Sequence, residues 1–490
     1  MAKIVLINPP YSLERKRETG VLNYPMGILC VATALRRAGH EVILFECAYE
    51  DDYNRKVVEA CQGALFAGFS VMTSQVGCAL ETAEILRHHQ PSLPLVWGGV
   101  HPTLEPKATV ASPFCDIVVV GEADHSVVSL ARSLAGGGCM DGVQGILFKR
   151  RGEVVITEPA SAVTDLDALP VDYSFVDVDR YLDLDVDKLF GFFPNIPGSV
   201  RRLTLHSARG CPYSCGFCIN SLVRGQESGV KRYRAMSSGF LIEEIVRLKS
   251  MYNLNFISFG DDLFFANPKR TREVVDRLIE LDLGIKWYAN VRADFFREDY
   301  INHEFLARLE QAGCIRFALG AESGSERVLR YLDKQLSPLA VMRSAKAIDA
   351  FNFVAGYSFM VGLPGEEEED VYRTMALTLM IKKLSRRSYI IGPQMYRPYP
   401  GSKLFLDCVA LGWKAPVHLE DWATGLELSG HFPLEQMVWV KNKALALEAC
   451  DFVHVLMPKG QAEDYLRERA GHVLDEFEEM RASLTEGKQT

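Results

Sequence analysis

No stretch of the 490 residues runs to about 18 uninterrupted apolar positions, which excludes a membrane-spanning helix from the expected architecture. The N-terminal MAKIVLINPP has apolar residues only from Ile4 to Ile7 before Asn8 and Pro9 interrupt it. That is too short for the core of a signal peptide, and a cytoplasmic protein is expected. Basic residues are not in excess either: 54 Lys and Arg face 63 Asp and Glu, for a formal net charge of −9. A nucleic-acid surface is therefore not expected as the main business of the chain. The basic pieces ERKRE at 14–18 and FKRRGE at 148–153 are short and mixed in sign, as solvated loops are. No internal repeat is evident. Nine of the twelve cysteines are scattered along the chain, at positions 30, 47, 61, 78, 115, 139, 314, 408 and 450. In a reducing compartment most of these are expected to be buried thiols that pack as small hydrophobes, not a disulfide framework.

The other three cysteines stand together in RGCPYSCGFCIN, residues 209–220, spaced C-x3-C-x2-C. Cys211, Cys215 and Cys218 can converge on one small object, and three is the wrong number for disulfides. A metal centre is the better expectation. Tetrahedral zinc wants a fourth ligand, for which His206 is the nearby choice, but it lies upstream in the strand-like LTLHSAR. A four-iron cluster normally takes four thiolates, so three would leave one iron open to a small molecule.

This spacing, with the aromatic Phe217 just before the last cysteine, resembles the signature of the radical S-adenosylmethionine (SAM) enzymes. The resemblance implies a [4Fe-4S] cluster on Cys211, Cys215 and Cys218 whose open iron chelates SAM. It also implies reductive cleavage of SAM to a 5′-deoxyadenosyl radical, with electrons from a donor such as flavodoxin or ferredoxin.

Upstream, short apolar runs alternate with helical patterns: KIVLINPP, ILCVATALRRAG, HEVILFEC, ALFAGFSVM, LPLVWGG and DIVVVGE. Such alternation predicts a doubly wound parallel sheet, whose ligands gather at the carboxyl ends of the strands. GGVHPT followed by VVVGEAD resembles the flavodoxin-like cobalamin-binding domain that precedes the barrel in one branch of the radical SAM enzymes. By that resemblance Ser70, Thr73, Gln75, Gly98, Gly99, His101, Gly121 and Glu122 are candidate cobalamin contacts. The loop Met72-Thr73-Ser74-Gln75 is expected to face the lower side of the corrin. Asp-x-His-x-x-Gly, which carries the cobalt-ligating histidine of some cobalamin proteins, is absent from the sequence, so no histidine is expected on cobalt.

Beyond residue 140, ILFKRRGEVVI predicts a hairpin around Arg151-Gly152, and an acidic connector leads to the aromatic-rich KLFGFFPNIPG at 188–198. Six further strands are predicted near 203–209, 255–260, 285–291, 315–321, 353–361 and 388–396, each but the last followed by a helical pattern. They suit the incomplete (β/α)6 barrel of the radical SAM fold, with its site at the C-terminal strand ends. Carried over from the family, Asp261 and Asp262 stand where a Gly-Gly-Glu-like segment takes hydrogen bonds from the SAM ammonium; here the segment is Gly-Asp-Asp. Arg292 is placed to pair with the SAM carboxylate. Glu322 and Ser323 resemble the ribose-binding strand end, and Gly362, with Pro364 and Gly365, the turn beside adenine. Tyr396 to Pro400 resembles a Pro-Tyr-Pro-Gly-Thr segment of this branch, and residues after 410 are helical in pattern.

The expected fold class is α/β: a cobalamin-binding domain over 1–140, a linker with a hairpin over 141–200, a radical SAM barrel over 201–405 and a helical cap over 406–490. The resemblance implies a cobalamin-dependent C-methyltransferase acting on an unactivated carbon of a small molecule through methylcobalamin. The alternative is a cyclase or ring-rearranging oxidoreductase of a tetrapyrrole-type substrate, without methyl transfer.

Overall fold

The computed structural model describes residues 1–11, 24–137, 139–184, 200–220, 232–425 and 433–485. The segments 14–18 and 188–198 lie outside them. Two compact units form: one from Met1–Tyr181, Ile219–Arg234 and Lys414–Pro433, the other from Leu182–Cys218, Ala235–Trp413 and Leu434–Thr490.

The first unit is built on β1 (Lys3–Asn8), β2 (Glu41–Glu46), β3 (Ala67–Ser70), β4 (Leu95–Gly98) and β5 (Ile117–Val119), with β6 (Ile146–Arg150) and β7 (Glu153–Ile156) as a hairpin. Their order is β2-β1-β3-β4-β5-β6-β7, parallel up to β5 and antiparallel after it. Ile4 to Ile7 are buried throughout, as a parallel strand covered on both faces requires. Helices α1 (Met26–Arg37), α2 (Tyr53–Ala60), α3 (Val76–His89) and α4 (Asp124–Ala135) connect these strands. The order reverses between β1 and β3, the switch point at which such sheets bind ligands.

The second unit carries six parallel strands, β8 (Val200–Leu205), β9 (Phe256–Phe259), β10 (Lys286–Val291), β11 (Cys314–Glu322), β12 (Val354–Val361) and β13 (Tyr389–Met395), neighbours in that order. Helix starts follow side-chain chemistry that the sequence shows openly. Ser237 caps α5 (Ser238–Tyr252), Asn267 with Pro268 starts α6 (Pro268–Leu281), Asn302 caps α7 (His303–Gln311), and Ser337 with Pro338 starts α8 (Pro338–Asp349). Helices α9 (Glu368–Leu384), α10 (Lys403–Ala410), α11 (Lys443–Asp451) and α12 (Ala462–Thr485) complete the unit. In β11, Phe317, Leu319 and Ala321 are buried while the alternate Arg316, Ala318 and Gly320 are half-exposed, the period-two signature of a strand with one covered face. No described helix is long and apolar enough to cross a membrane.

Candidate active site at the strand ends

The cysteine loop follows β8 and is fastened to its own unit by backbone. Gly216 N–H donates to Leu332 O at 2.8 Å, and Leu404 N–H donates to Gly216 O at 3.3 Å. A side chain at 216 would come within 3.3 Å of Leu404. Cys218 N–H donates to Cys215 O at 3.0 Å, closing the turn between the last two thiols. Burial pushes the Cys215 thiol up, while Lys334 and Arg292 pull it down and Cys211 and Glu322 add to the rise. Burial outweighs the two cations, so the net direction for Cys215 is upward.

No three His, Cys, Asp or Glu side chains among the described residues gather as ligands of a single ion. His206, the zinc alternative, is turned elsewhere: its Nε2 lies where a Cβ on Gly260 would come within 2.5 Å. By count alone, three thiols match a four-iron cluster with one iron left open, whereas a structural zinc takes four ligands.

At the end of β9 the two adjacent carboxylates part company. Asp261 is fully buried. Its Oδ1 accepts from Ser207 N at 2.6 Å and Ala208 N at 2.9 Å, and its Oδ2 from Ser207 Oγ at 2.5 Å. Those bonds leave it clasping the segment that leads into the cysteine loop, not a ligand ammonium. Asp262 is the exposed member of the pair.

Arg292 is likewise occupied within the protein. It bonds Asp294 Oδ1 at 2.9 Å and the carbonyls of Lys334 and Gln335, each at 2.8 Å, and its guanidinium lies 3.7 Å from the ring centroid of Tyr213 in the cysteine loop. Through these contacts it positions that loop.

Glu322 keeps a different aspect. It sits at φ 65°, a left-handed conformation that a residue with a side chain adopts at a cost. Its Oε1 accepts from Lys334 Nζ at 2.8 Å, and the same Nζ lies 5.7 Å from the ring centroid of Phe217. Glu322 and Lys334 thus stand beside the cysteine motif. Sequence pattern does not single out Lys334, because nothing in YLDKQLSP distinguishes it from a surface lysine.

Ser323 and Gly362 are bonded within the protein. Ser323 Oγ meets Thr374 Oγ1 of α9 at 3.1 Å and accepts from Ser325 N at 3.1 Å. Gly362 N–H donates to Glu366 Oε2 at 2.6 Å, and its carbonyl accepts from Trp439 Nε1 at 2.9 Å, so neither backbone group is open to adenine.

Burial pushes Glu366 up to about 8. A carboxyl raised from 4.5 keeps its proton in the fold while the unfolded chain releases it, so its contribution to stability is full below 4.5 and lost as pH rises through about 8. The Tm advantage of Glu366→Gln over the wild type is expected to grow between pH 5 and pH 8. A constant difference would contradict this.

In the first unit the carboxyl edge is tied together from strand to strand. Gln75 is buried, donating to Pro9 O at 2.6 Å and Asn8 Oδ1 at 3.3 Å and accepting from Met72 N at 2.8 Å. Its amide is a rivet within the edge. Thr73 Oγ1 meets His101 Nδ1 at 3.2 Å. His101 is fully buried, edge-on to Trp422 with centroids 5.3 Å apart, and burial lowers it to about 4, which keeps the ring neutral. Its Nε2 has no hydrogen-bond partner among the described residues. Both oxygens of Glu122 are held by Arg234, so this carboxylate anchors residues 232–234. Ser70 ends β3 half-exposed, and Gly121 follows β5 at φ 77°.

The two glycines after β4 differ. Gly99 has φ 95°, and a Cβ there would stand 2.7 Å from Val71 N, so its need for glycine is internal packing. At Gly98 a Cβ would meet Val119 O at 3.7 Å, an ordinary contact that a small side chain tolerates. Gly99→Ala is expected to cost more than about 1 kcal/mol in thermal unfolding. Gly98→Ala should stay within about 0.5 kcal/mol of the wild type. Equal effects would refute the distinction. Ser70, Gly98 and Gly121, each half-exposed at a strand end, are the positions of this edge that fit a large cofactor.

Comparison with known proteins agrees with this layout. Residues 17–131 match the B12 binding domain and residues 205–378 the radical SAM superfamily. An uncharacterized methyltransferase of Pyrococcus horikoshii is 28% identical over 450 residues, covering 90% of this chain and 91% of that one. An anaerobic magnesium-protoporphyrin IX monomethyl ester cyclase of Synechocystis is 27% identical over 337 residues, covering 68% and 63%. The fold resembles that of the radical SAM methyltransferase TsrM from Kitasatospora setae with cobalamin and a [4Fe-4S] cluster bound, at a TM-score of 0.64 and 15% identity over 88% of this chain and 83% of that one.

Proposed function

We propose that this chain, a radical SAM enzyme with a B12-binding domain ahead of its barrel, is a C-methyltransferase that acts on an unactivated carbon of a small molecule. The observation that carries the proposal is the end-to-end match to a methyltransferase, over 90% of one chain and 91% of the other, whereas the Synechocystis cyclase extends well past the matched region.

When bound, the cluster and SAM supply a carbon-centred radical and cobalamin supplies a methyl group. Cys211, Cys215 and Cys218 hold the cluster. Glu322 accepts from the ribose hydroxyls, Lys334 meets the SAM carboxylate, and Asp262 takes its ammonium; Asp261 and Arg292 keep the cysteine loop in place for them. Ser70, Gly98 and Gly121 carry the corrin, while buried, neutral His101 fixes Thr73 through Nδ1. A flavodoxin or ferredoxin supplies electrons.

A cyclase reading draws support from the Synechocystis relative and from a second cyclase, of Rubrivivax gelatinosus, 25% identical over 82% of this chain. Product mass separates the two. With anaerobically reconstituted protein, SAM, hydroxocobalamin, a low-potential reductant and candidate substrates from neighbouring genes, methylation adds about 14 Da per event. A product formed without that gain would favour cyclisation.

A further inference from the structure

The switch point between β1 and β3 has one feature that neither the cobalamin contacts nor the SAM contacts use. Across the carboxyl ends of β2, β1 and β3 runs a chain of hydrogen bonds. Asn8 Nδ2 donates to Glu46 at 2.7 Å, Asn8 Oδ1 accepts from Gln75 Nε2 at 3.3 Å, and Gln75 Oε1 accepts from Met72 N at 2.8 Å. With Thr73 Oγ1 engaged by His101, the polar groups at Thr73 and Gln75 are turned into the protein. The backbone of Met72 is held, and its side chain stands out at 43% exposure. Beside it Tyr11, 42% exposed, donates from its hydroxyl to Met72 Sδ at 3.7 Å.

Two large, mainly apolar side chains held side by side in the open, at the place where a sheet of this order takes its ligand, make a seat for a flat apolar ring. We infer that Met72, steadied by Tyr11, is the side chain beneath the cobalt when cobalamin binds; the inference rests on the cobalamin reading above.

The chemistry agrees. The sequence lacks the Asp-x-His-x-x-Gly motif, and His101 is buried against Trp422 with one nitrogen given to Thr73. A neutral thioether whose sulfur already accepts a phenolic hydrogen bond is a weak donor. It covers the lower face, keeps water off it and puts no nitrogen on the metal.

The test uses the full chain, reconstituted anaerobically, loaded with hydroxocobalamin, reduced to cob(II)alamin and examined by electron paramagnetic resonance. The wild type is expected to show cobalt hyperfine lines without nitrogen superhyperfine splitting. Met72→His is expected to add a three-line splitting to each, because an imidazole at that position reaches the metal. Met72→Ala opens the face and is expected to shift the spectrum toward a water-ligated form, whereas Ser74→His, one turn position away, should leave it unchanged. Corrin-loaded Met72→His with a wild-type spectrum would overturn the inference, as would nitrogen splitting in the wild type or in Ser74→His. A wild type that binds no corrin would instead overturn the cobalamin reading on which it rests.

Discussion

Replacing Cys211, Cys215 and Cys218 together with alanine is expected to remove the cluster absorbance and to abolish 5′-deoxyadenosine formation. The wild type should carry about four irons and four sulfides per chain, and the variant close to none. The expectation is sharp because the backbone of the loop is also held at positions other than its thiols. Gly216 is bonded to Leu332 O and Leu404 N, and Tyr213 lies under the Arg292 guanidinium, which is itself fixed by Asp294 and two carbonyls. Alanine at the three positions therefore leaves a folded loop with no donors, and circular dichroism of the variant should match that of the apo wild type. SAM cleavage at the wild-type rate in this variant would sink the radical SAM chemistry.

What local pattern can carry is legible in the amino-acid sequence. Ile4 to Ile7 and the runs after them are buried parallel strands, and the Asn-Pro and Ser-Pro pairs at 267–268 and 337–338 start helices as their chemistry demands. The strand-end glycines and carboxylates are legible as positions but not as roles, because a role depends on what the rest of the chain brings to the position. Gly99 resembles a cofactor cradle in sequence, yet its Cβ would strike the backbone of Val71, a neighbour 28 residues away in the chain. Trp413 and Trp422 stand nine residues apart, but Trp413 packs against Phe405 and Trp439 in the second unit while Trp422 covers His101 in the first. Periodicity has no term for such returns. Lys334 is invisible to it for the same reason: its meaning comes from Glu322 and Phe217, which reach it from a strand end and from the cysteine loop.

The adjacent aspartates turn this distinction into a measurement. Asp261→Ala removes the acceptor of three hydrogen bonds, from Ser207 N, Ala208 N and Ser207 Oγ, all buried. It also strips the nearby carboxylate from Arg270, a buried guanidinium that donates to Ser207 Oγ at 2.9 Å. Truncating one side of a buried charged network costs on the order of 3–5 kcal/mol, so the Tm is expected to fall by roughly 10 °C. Because Ser207 and Ala208 lead directly into Gly210 and Cys211, iron content should fall with it even at temperatures where the variant is folded. Asp262→Ala should behave oppositely: its side chain is exposed, so unfolding free energy stays within about 0.5 kcal/mol of the wild type, and the loss appears in SAM affinity. Calorimetry, iron analysis and SAM titration on the two variants separate the roles. If Asp261→Ala unfolds like the wild type, keeps its iron and loses only SAM affinity, then the buried carboxylate is the ligand and the clasp assigned to it is wrong.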